Sequence, residues 1–195
     1  MILSMSQEHM KKHSSYAEYL QWGEDVRCEA FDGVIVNMTP APTPKHQMIQ
    51  VELSVEFGSF LRGKECQLFT APIDVCLFAT KETADEDVKD WVQPDLLIVC
   101  DQNKIEEKRI IGAPDLVIEI LSPSTARNDR LIKYNKYEEA GVKEYWIVDP
   151  HHETVEVFLL KDHTFHRAGV FMKNDVASVS IFDNFEVKLC NIFRD

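Results

Sequence analysis

Hydrophobic and polar positions along the chain alternate between helical and strand-like periods. Residues 14–23 (SSYAEYLQWG) set Tyr16, Tyr19 and Leu20 on one face of a short amphipathic helix. RCEAFDGVIVNMTP predicts a β-hairpin turning at Asp32-Gly33. In PTPKHQMIQVELSVEFGSFLRG, Met48, Val51, Val55 and Phe60 are among apolar positions at helical spacing, and Gly63 predicts a stop near Arg62. CQLFTAPIDVCLF holds one or two strands broken at Ala71-Pro72, and the acidic TKETADEDVKD reads as a mobile loop. Strands follow at about 94–100 and 115–121, then a helix over 127–140 ending at Gly141, then a strand in EYWIVDP. TVEVFLLKD and TFHRAGVF predict a late hairpin, and VASVSIFDNFEVKL mixes periods. This order of helix, strands, helix and strand favours an α/β or α+β fold over an all-β barrel.

The chain has 195 residues, 45% of them hydrophobic, enough for one domain with a sizeable core. Its 33 acidic and 21 basic side chains give a formal net charge of -12. A protein that coats nucleic acid non-specifically is usually basic, so this balance counts against a general nucleic-acid binder. It leaves room for an enzyme whose acids hold cations and whose basic groups are local. Five scattered cysteines (Cys28, Cys66, Cys76, Cys100 and Cys190) contain no C-x-x-C pair. Their odd number and wide spacing argue against a disulfide framework or a zinc site and fit a reducing cytoplasm. Cys66, Cys76 and Cys100 lie in strand-like runs and read as small buried hydrophobes. The opening MILSMSQEHMKKHSSY has no long apolar run, so neither a signal peptide nor a membrane anchor is expected.

Two apolar segments, WVQPDLLIVC and GAPDLVIEILS, each carry a carboxylate where a buried strand is predicted. An ionised carboxylate is costly to bury unless it is paired or holds a metal. Side chains alternate along a strand, so Asp115, Val117 and Glu119 share one side. Asp115 and Glu119 are about 13 Å apart, at ~3.3 Å per residue, too far to share one ion. Asp95 begins a separate strand and is the better partner for Glu119, while Asp115 reads as a strand-start residue facing solvent. On the 127–140 helix, Lys133, Tyr137 and Ala140 share a semi-apolar face, with Lys136 about 60° from Lys133. Lys133 therefore points at the sheet, or else its stem snorkels along the aromatic rings with the ammonium in water.

If the three converge, Asp95 and Glu119 bind Mg²⁺ or Mn²⁺ through hard oxygens, and Lys133 steadies an attacking water or developing negative charge. The structural alternative pairs Glu119 with Arg127 or Arg130. Glu29 is either a third acidic ligand or exposed, and His46, ahead of the long helix, suits a cap or surface role. His151 and His152 read as exposed turn residues, and the acidic pair in YEEAG as a solvated helix face.

The residues just named carry a resemblance to a known family. AEYLQW, Glu29 to Gly33 (EAFDG), His46-Gln47, Val92 to Asp95 (VQPD) and Ala113 to Thr125 (APDLVIEILSPST) resemble the Uma-two family in their order and spacing. So do Lys133, Tyr137 and Ala140 to Pro150 (AGVKEYWIVDP). That family is restriction-endonuclease-like and belongs to the PD-(D/E)XK phosphodiesterase superfamily. The resemblance spans almost the whole chain. It implies a single domain over 1–195, with an N-terminal helix and hairpin (14–40), a nuclease-like core (41–150) and C-terminal strands (151–195). The core would be a mixed central sheet flanked by helices. The resemblance also implies Asp95 and Glu119 as the acidic pair, with Glu29, His46 and Tyr137 as accessory positions. The signature's lysine stands two residues after the acid, where this chain has Leu121, and Lys133 is the matching lysine from the next helix. The implied activity is Mg²⁺-dependent hydrolysis of phosphodiester bonds in nucleic acid, DNA foremost, and two copies would suit an enzyme that cuts both strands. The alternative is an inactive nuclease fold serving as a structural or protein-interaction module.

Overall fold

The computed structural model describes residues 13–23, 26–37 and 42–194. The opening residues 1–12 and the end of the predicted hairpin at 38–41 lie outside the described residues. The strands, in chain order, are β1 (Cys28–Phe31), β2 (Val34–Asn37), β3 (Gln67–Thr70), β4 (Asp74–Cys76), β5 (Leu96–Val99) and β6 (Arg109–Ile111). There follow β7 (Leu116–Ile120), β8 (Glu144–Asp149), β9 (Thr154–Lys161), β10 (Thr164–Met172), β11 (Val176–Ser178) and β12 (Glu186–Lys188). The helices are α1 (Tyr16–Tyr19), α2 (Pro44–Leu61), α3 (Tyr134–Ala140) and α4 (Leu189–Ile192), and a π-helical stretch, Asn128–Lys133, runs directly into α3.

The central sheet has the order β10-β9-β8-β7-β5-β3. Only β7 and β8 run parallel; the other pairs are antiparallel. A parallel pair needs a crossover, and the π-helical stretch with α3 supplies it. Two small ladders, β1-β2 and parallel β4-β6, are stitched together through Trp91 and Val92, which bridge to Ala30 and Val75. The fold is therefore mixed α+β with a central mixed sheet, as the sequence predicts.

β7 is buried along its whole length because both faces are covered. Leu116, Ile118 and Ile120 join Leu96 and Ile98 under the Ile49, Leu53 and Phe57 face of α2. Val117, with Leu97 and Val99, packs on the other side against Tyr137 and Tyr145. Glu119 shares that second side and so points toward the crossover helix.

Several expectations need correction. The core face of α2 is Ile49, Leu53, Phe57 and Leu61, whereas Met48, Val51 and Val55 are about half exposed. Both stripes are apolar, so helical spacing alone does not separate them. The 80–90 loop is pinned rather than free: Val88, Asp85 and Lys89 carbonyls accept from Tyr16, Ala17 and Gly33, and Asp85 pairs with Arg109. Cys66 and Cys100 form a disulfide, contrary to the reading of reduced hydrophobic cysteines. The antiparallel register that sets Gln67 against Val99 continues one step to bring them together, which their sequence spacing hides. Asp115 is buried, not solvent-facing; it accepts from the Cys100 amide at 2.8 Å and Lys143 at 2.7 Å. Among the described residues no helix is long and apolar enough to cross a membrane.

Candidate active site

The Asp95 end of β5 meets the Glu119 end of β7. Their antiparallel ladder pairs Leu96 with Ile118, so one further step sets Asp95 opposite Glu119. Asp95 Oδ2 accepts the Ile120 amide at 2.7 Å and lies 3.2 Å from His46 Nε2. The Gln50 side chain donates to the Asp95 carbonyl at 3.0 Å, so α2 holds this strand end from above. His46 is the third residue of α2, behind the Thr43 N-cap, and only 7% exposed. The cap or surface role expected from the sequence is not what the structure shows: His46 is an inward partner of Asp95.

Lys133 enters from the crossover helix and is almost wholly buried. Its Nζ donates to Glu119 Oε1 at 2.9 Å and lies 2.8 Å from Glu29 Oε1 and 3.6 Å from Asp129 Oδ1. The ammonium thus points inward and does not snorkel. Tyr137 donates its hydroxyl to Glu119 Oε1 at 2.6 Å, and the Gln93 amide donates to Glu29 Oε1 at 3.0 Å. Asp129, Lys133 and Tyr137 are four residues apart in succession, which aligns them as one inward stripe across the π-helical stretch and α3. Wide π turns recur at functional sites because they re-aim side chains within a helix.

The electrostatics follow from this crowding. Burial pushes Glu119 well above the usual carboxylate range; Lys133 opposes the shift only in part, and Asp129, Asp95 and Glu29 reinforce it. Burial likewise raises Asp129 against the pull of Lys133. For Lys133, burial favours the neutral amine, but Glu119, Glu29 and Asp129 outweigh it and hold the proton firmly. Burial would also lower His46, yet the hydrogen bond and charge of Asp95 leave it above its ordinary value. Fully ionised, the carboxylates of Glu29, Asp95, Glu119 and Asp129 face one ammonium and one imidazolium, an excess of two negative charges.

Six residues singled out in the sequence therefore come together: Asp95, Glu119, Lys133, Glu29, His46 and Tyr137. Others do not. Arg130 pairs with Glu156 and Arg127 is exposed, so neither neutralises Glu119. Lys136 turns to Asp32 and Asp90, His151 and His152 sit exposed in their turn, and Glu138 caps the Phe165 amide instead of facing water. Asp129 was missed. Its signal was the four-residue spacing to Lys133, readable only once that lysine is known to point inward.

An acid pair on neighbouring strands of a mixed sheet, with a lysine from the flanking helix against one of the two acids, is consistent with a restriction-endonuclease-like fold. The chain belongs to the Uma2 family, described as "Putative restriction endonuclease", which matches residues 16–190. It is 30% identical over 160 residues to a Synechocystis protein named "Uncharacterized protein slr1290", covering 81% of this chain and 73% of that one. A crystal structure described as a putative nuclease belonging to DUF820, from Anabaena variabilis, superposes with a TM-score of 0.71 at 23% identity. That match covers 92% of this chain and 97% of the other, and it supports the fold.

Proposed function

We propose that this protein is a divalent-metal-dependent endonuclease that hydrolyses phosphodiester bonds in nucleic acid, with DNA as the first substrate. The observation that carries the reading is the convergence of Glu29, Asp95, Glu119 and Asp129 on one lysine and one histidine at the inward-facing ends of β5 and β7. If ionised, that cluster carries two uncompensated negative charges, which call for a bound divalent cation or for protons.

The donor set fits Mg²⁺ or Mn²⁺. Asp95 and Glu119 offer hard carboxylate oxygens, and Asp95 remains partly exposed, with a fifth of its side chain open to solvent. Among the described residues no group of three or more acidic, histidine or cysteine side chains is arranged so that it could hold a metal ion. Mg²⁺ is commonly held by one or two carboxylates, completing its shell with water and substrate phosphate, so two ligands are adequate. Bound there, the ion would supply Lewis-acid stabilisation of charge developing on the phosphoryl group. His46 and the Ile120 amide orient Asp95, Tyr137 orients Glu119, and Lys133 adds positive charge beside the acid pair for the attacking water or the developing oxyanion.

The test is nicking of supercoiled plasmid DNA in Mg²⁺ or Mn²⁺, compared with EDTA and with Asp95→Ala and Glu119→Ala. Cleavage that needs the ion and vanishes in both variants supports the proposal; cleavage that survives them refutes it. A second reading, a non-catalytic interaction module, draws on the direct neutralisation of Glu119 and Glu29 by Lys133 and on the net charge of -12. Calorimetry with Mn²⁺ separates the two, since no heat of binding at millimolar ion would favour the module.

A further inference from the structure

Among the described residues only two buried side-chain polar atoms lack a hydrogen-bond partner, Asp129 Oδ1 and His46 Nδ1. Buried polar atoms in native proteins are nearly always satisfied, and an exception at a cluster of charge asks what it is there to hold. Asp129 is 1% exposed, and its backbone is fixed on both sides: its amide donates to the Thr125 carbonyl and its carbonyl accepts the Tyr145 hydroxyl. The free oxygen is therefore aimed, not adrift. It lies 3.6 Å from Lys133 Nζ, beyond hydrogen-bond reach. Two atoms at that separation can both stand about 2.8 Å from one water oxygen, which would take a hydrogen bond from the ammonium and give one to the carboxylate.

We propose that Asp129 is the general base of the reaction, seating the attacking water against Lys133 and taking its proton. This rests on the hydrolytic reading above. In the step, the water's O–H bond breaks toward Asp129 Oδ1 and its oxygen forms the new bond to phosphorus. The bond from phosphorus to the leaving ester oxygen breaks, and that alkoxide takes a proton from solvent. Asp129 then returns its own proton to solvent. Burial and the neighbouring acids raise the Asp129 carboxyl above its ordinary value, the direction that makes a carboxylate a better base near neutral pH. Lys133, held by Glu29 and Glu119, donates to the water and does not compete for its proton.

The experiment combines Asp129→Asn with a high-resolution crystal structure of the metal-free wild type. The isosteric amide removes one of several crowded acids, so the variant is expected to fold, with Mn²⁺ affinity by calorimetry unchanged. Plasmid cleavage should fall by about 100-fold or more in kcat with KM unchanged, the scale of a lost general base. The wild-type crystal should show a water within hydrogen-bond distance of both Asp129 Oδ1 and Lys133 Nζ. Wild-type cleavage by Asp129→Asn, or a matching loss of Mn²⁺ affinity, overturns the assignment. So does the absence of that water, a readout that stands even if the variant fails to fold. A wild type that binds the water and Mn²⁺ yet never cuts refutes the nuclease reading itself, and the base role with it.

Discussion

Replacing Lys133 by methionine removes the ammonium that stands among Glu29, Glu119 and Asp129 at 2.8, 2.9 and 3.6 Å. Methionine keeps the length of the stem and fills the same space, so the change isolates charge from packing. The lysine side chain is 6% exposed and its two nearest partners are 8% and 4% exposed, so water screens little of the loss. Breaking one buried pair costs about 3–5 kcal/mol, because the surviving charge is left unpaired. The carboxylates can escape by taking up protons, and each proton they must bind costs about 1.4 kcal/mol per pH unit above its unperturbed pKa. The loss should therefore approach the full range at pH 8 and shrink toward pH 5. For a chain of this size it lowers Tm by roughly 6–20 °C at pH 8. Urea unfolding at the two pH values reads it, with Lys45→Met as control. That ammonium pairs with Glu153 at 3.6 Å, and its side chain is 49% exposed, so its removal should cost only about 1 kcal/mol or less. A Lys133→Met deficit below that of the control, or one equal at pH 5 and pH 8, would refute the picture of a buried, charge-balancing ammonium.

Wild-type stability should itself depend on pH and on metal. Glu119 and Asp129 have raised folded-state values, so the folded protein keeps protons that the unfolded chain has released, and stability falls as pH climbs above about 4.5. His46 acts in the same sense: its raised value contributes stability below about 6.5 that is lost as pH rises through the folded value. The expected Tm in EDTA is lower at pH 8 than at pH 6, and Mn²⁺ should restore more at pH 8; equal gains at both would contradict it. Tyr137→Phe deletes the 2.6 Å donor to the buried Glu119 carboxylate and should cost about 1–3 kcal/mol in urea. Tyr134→Phe loses a longer 3.3 Å bond to a carbonyl and should cost less.

What could be read in the sequence was what local chemistry fixes. Asp32-Gly33 turns the first hairpin, Gly141 ends α3 in the left-handed region, and the apolar run LVIEI makes β7 a covered strand. Glu119 stood out because a charge within such a run must be answered by something. The partner was harder, because register is a property of two strands: only the antiparallel pairing of β5 with β7 brings Asp95 to it. The same nonlocality hid the Cys66–Cys100 bond and the burial of Asp115. His46 failed for another reason. At the start of a helix a histidine reads as a surface or capping residue, and nothing local indicates that α2 lies with its first turn over the Asp95 end of the sheet. Asp129 lies four residues before Lys133, on the same helical face, so its direction could be read only once that lysine was known to point inward.

The displaced lysine now has a physical account. In the signature the lysine stands two residues beyond the acid on the same strand face, and here that position is Leu121, which packs with Val117, Tyr137 and Val142. The charge has not been lost with it. Lys133 delivers an ammonium to within 2.9 Å of Glu119 from the crossover between β7 and β8, and Asp129 and Glu29 hold it there. The ammonium thus reaches Glu119 from the crossover rather than from the strand that carries the acid. A strand lysine would be fixed by the sheet alone, whereas this one depends on a π turn and on Glu29, a residue of the β1-β2 hairpin. Lys136, on the same helical segment, ties that hairpin down again through Asp32 and the neighbouring Asp90. The hairpin, which looks peripheral in the topology, is thus part of what aims the ammonium, and Glu29 belongs to the site through the lysine it holds.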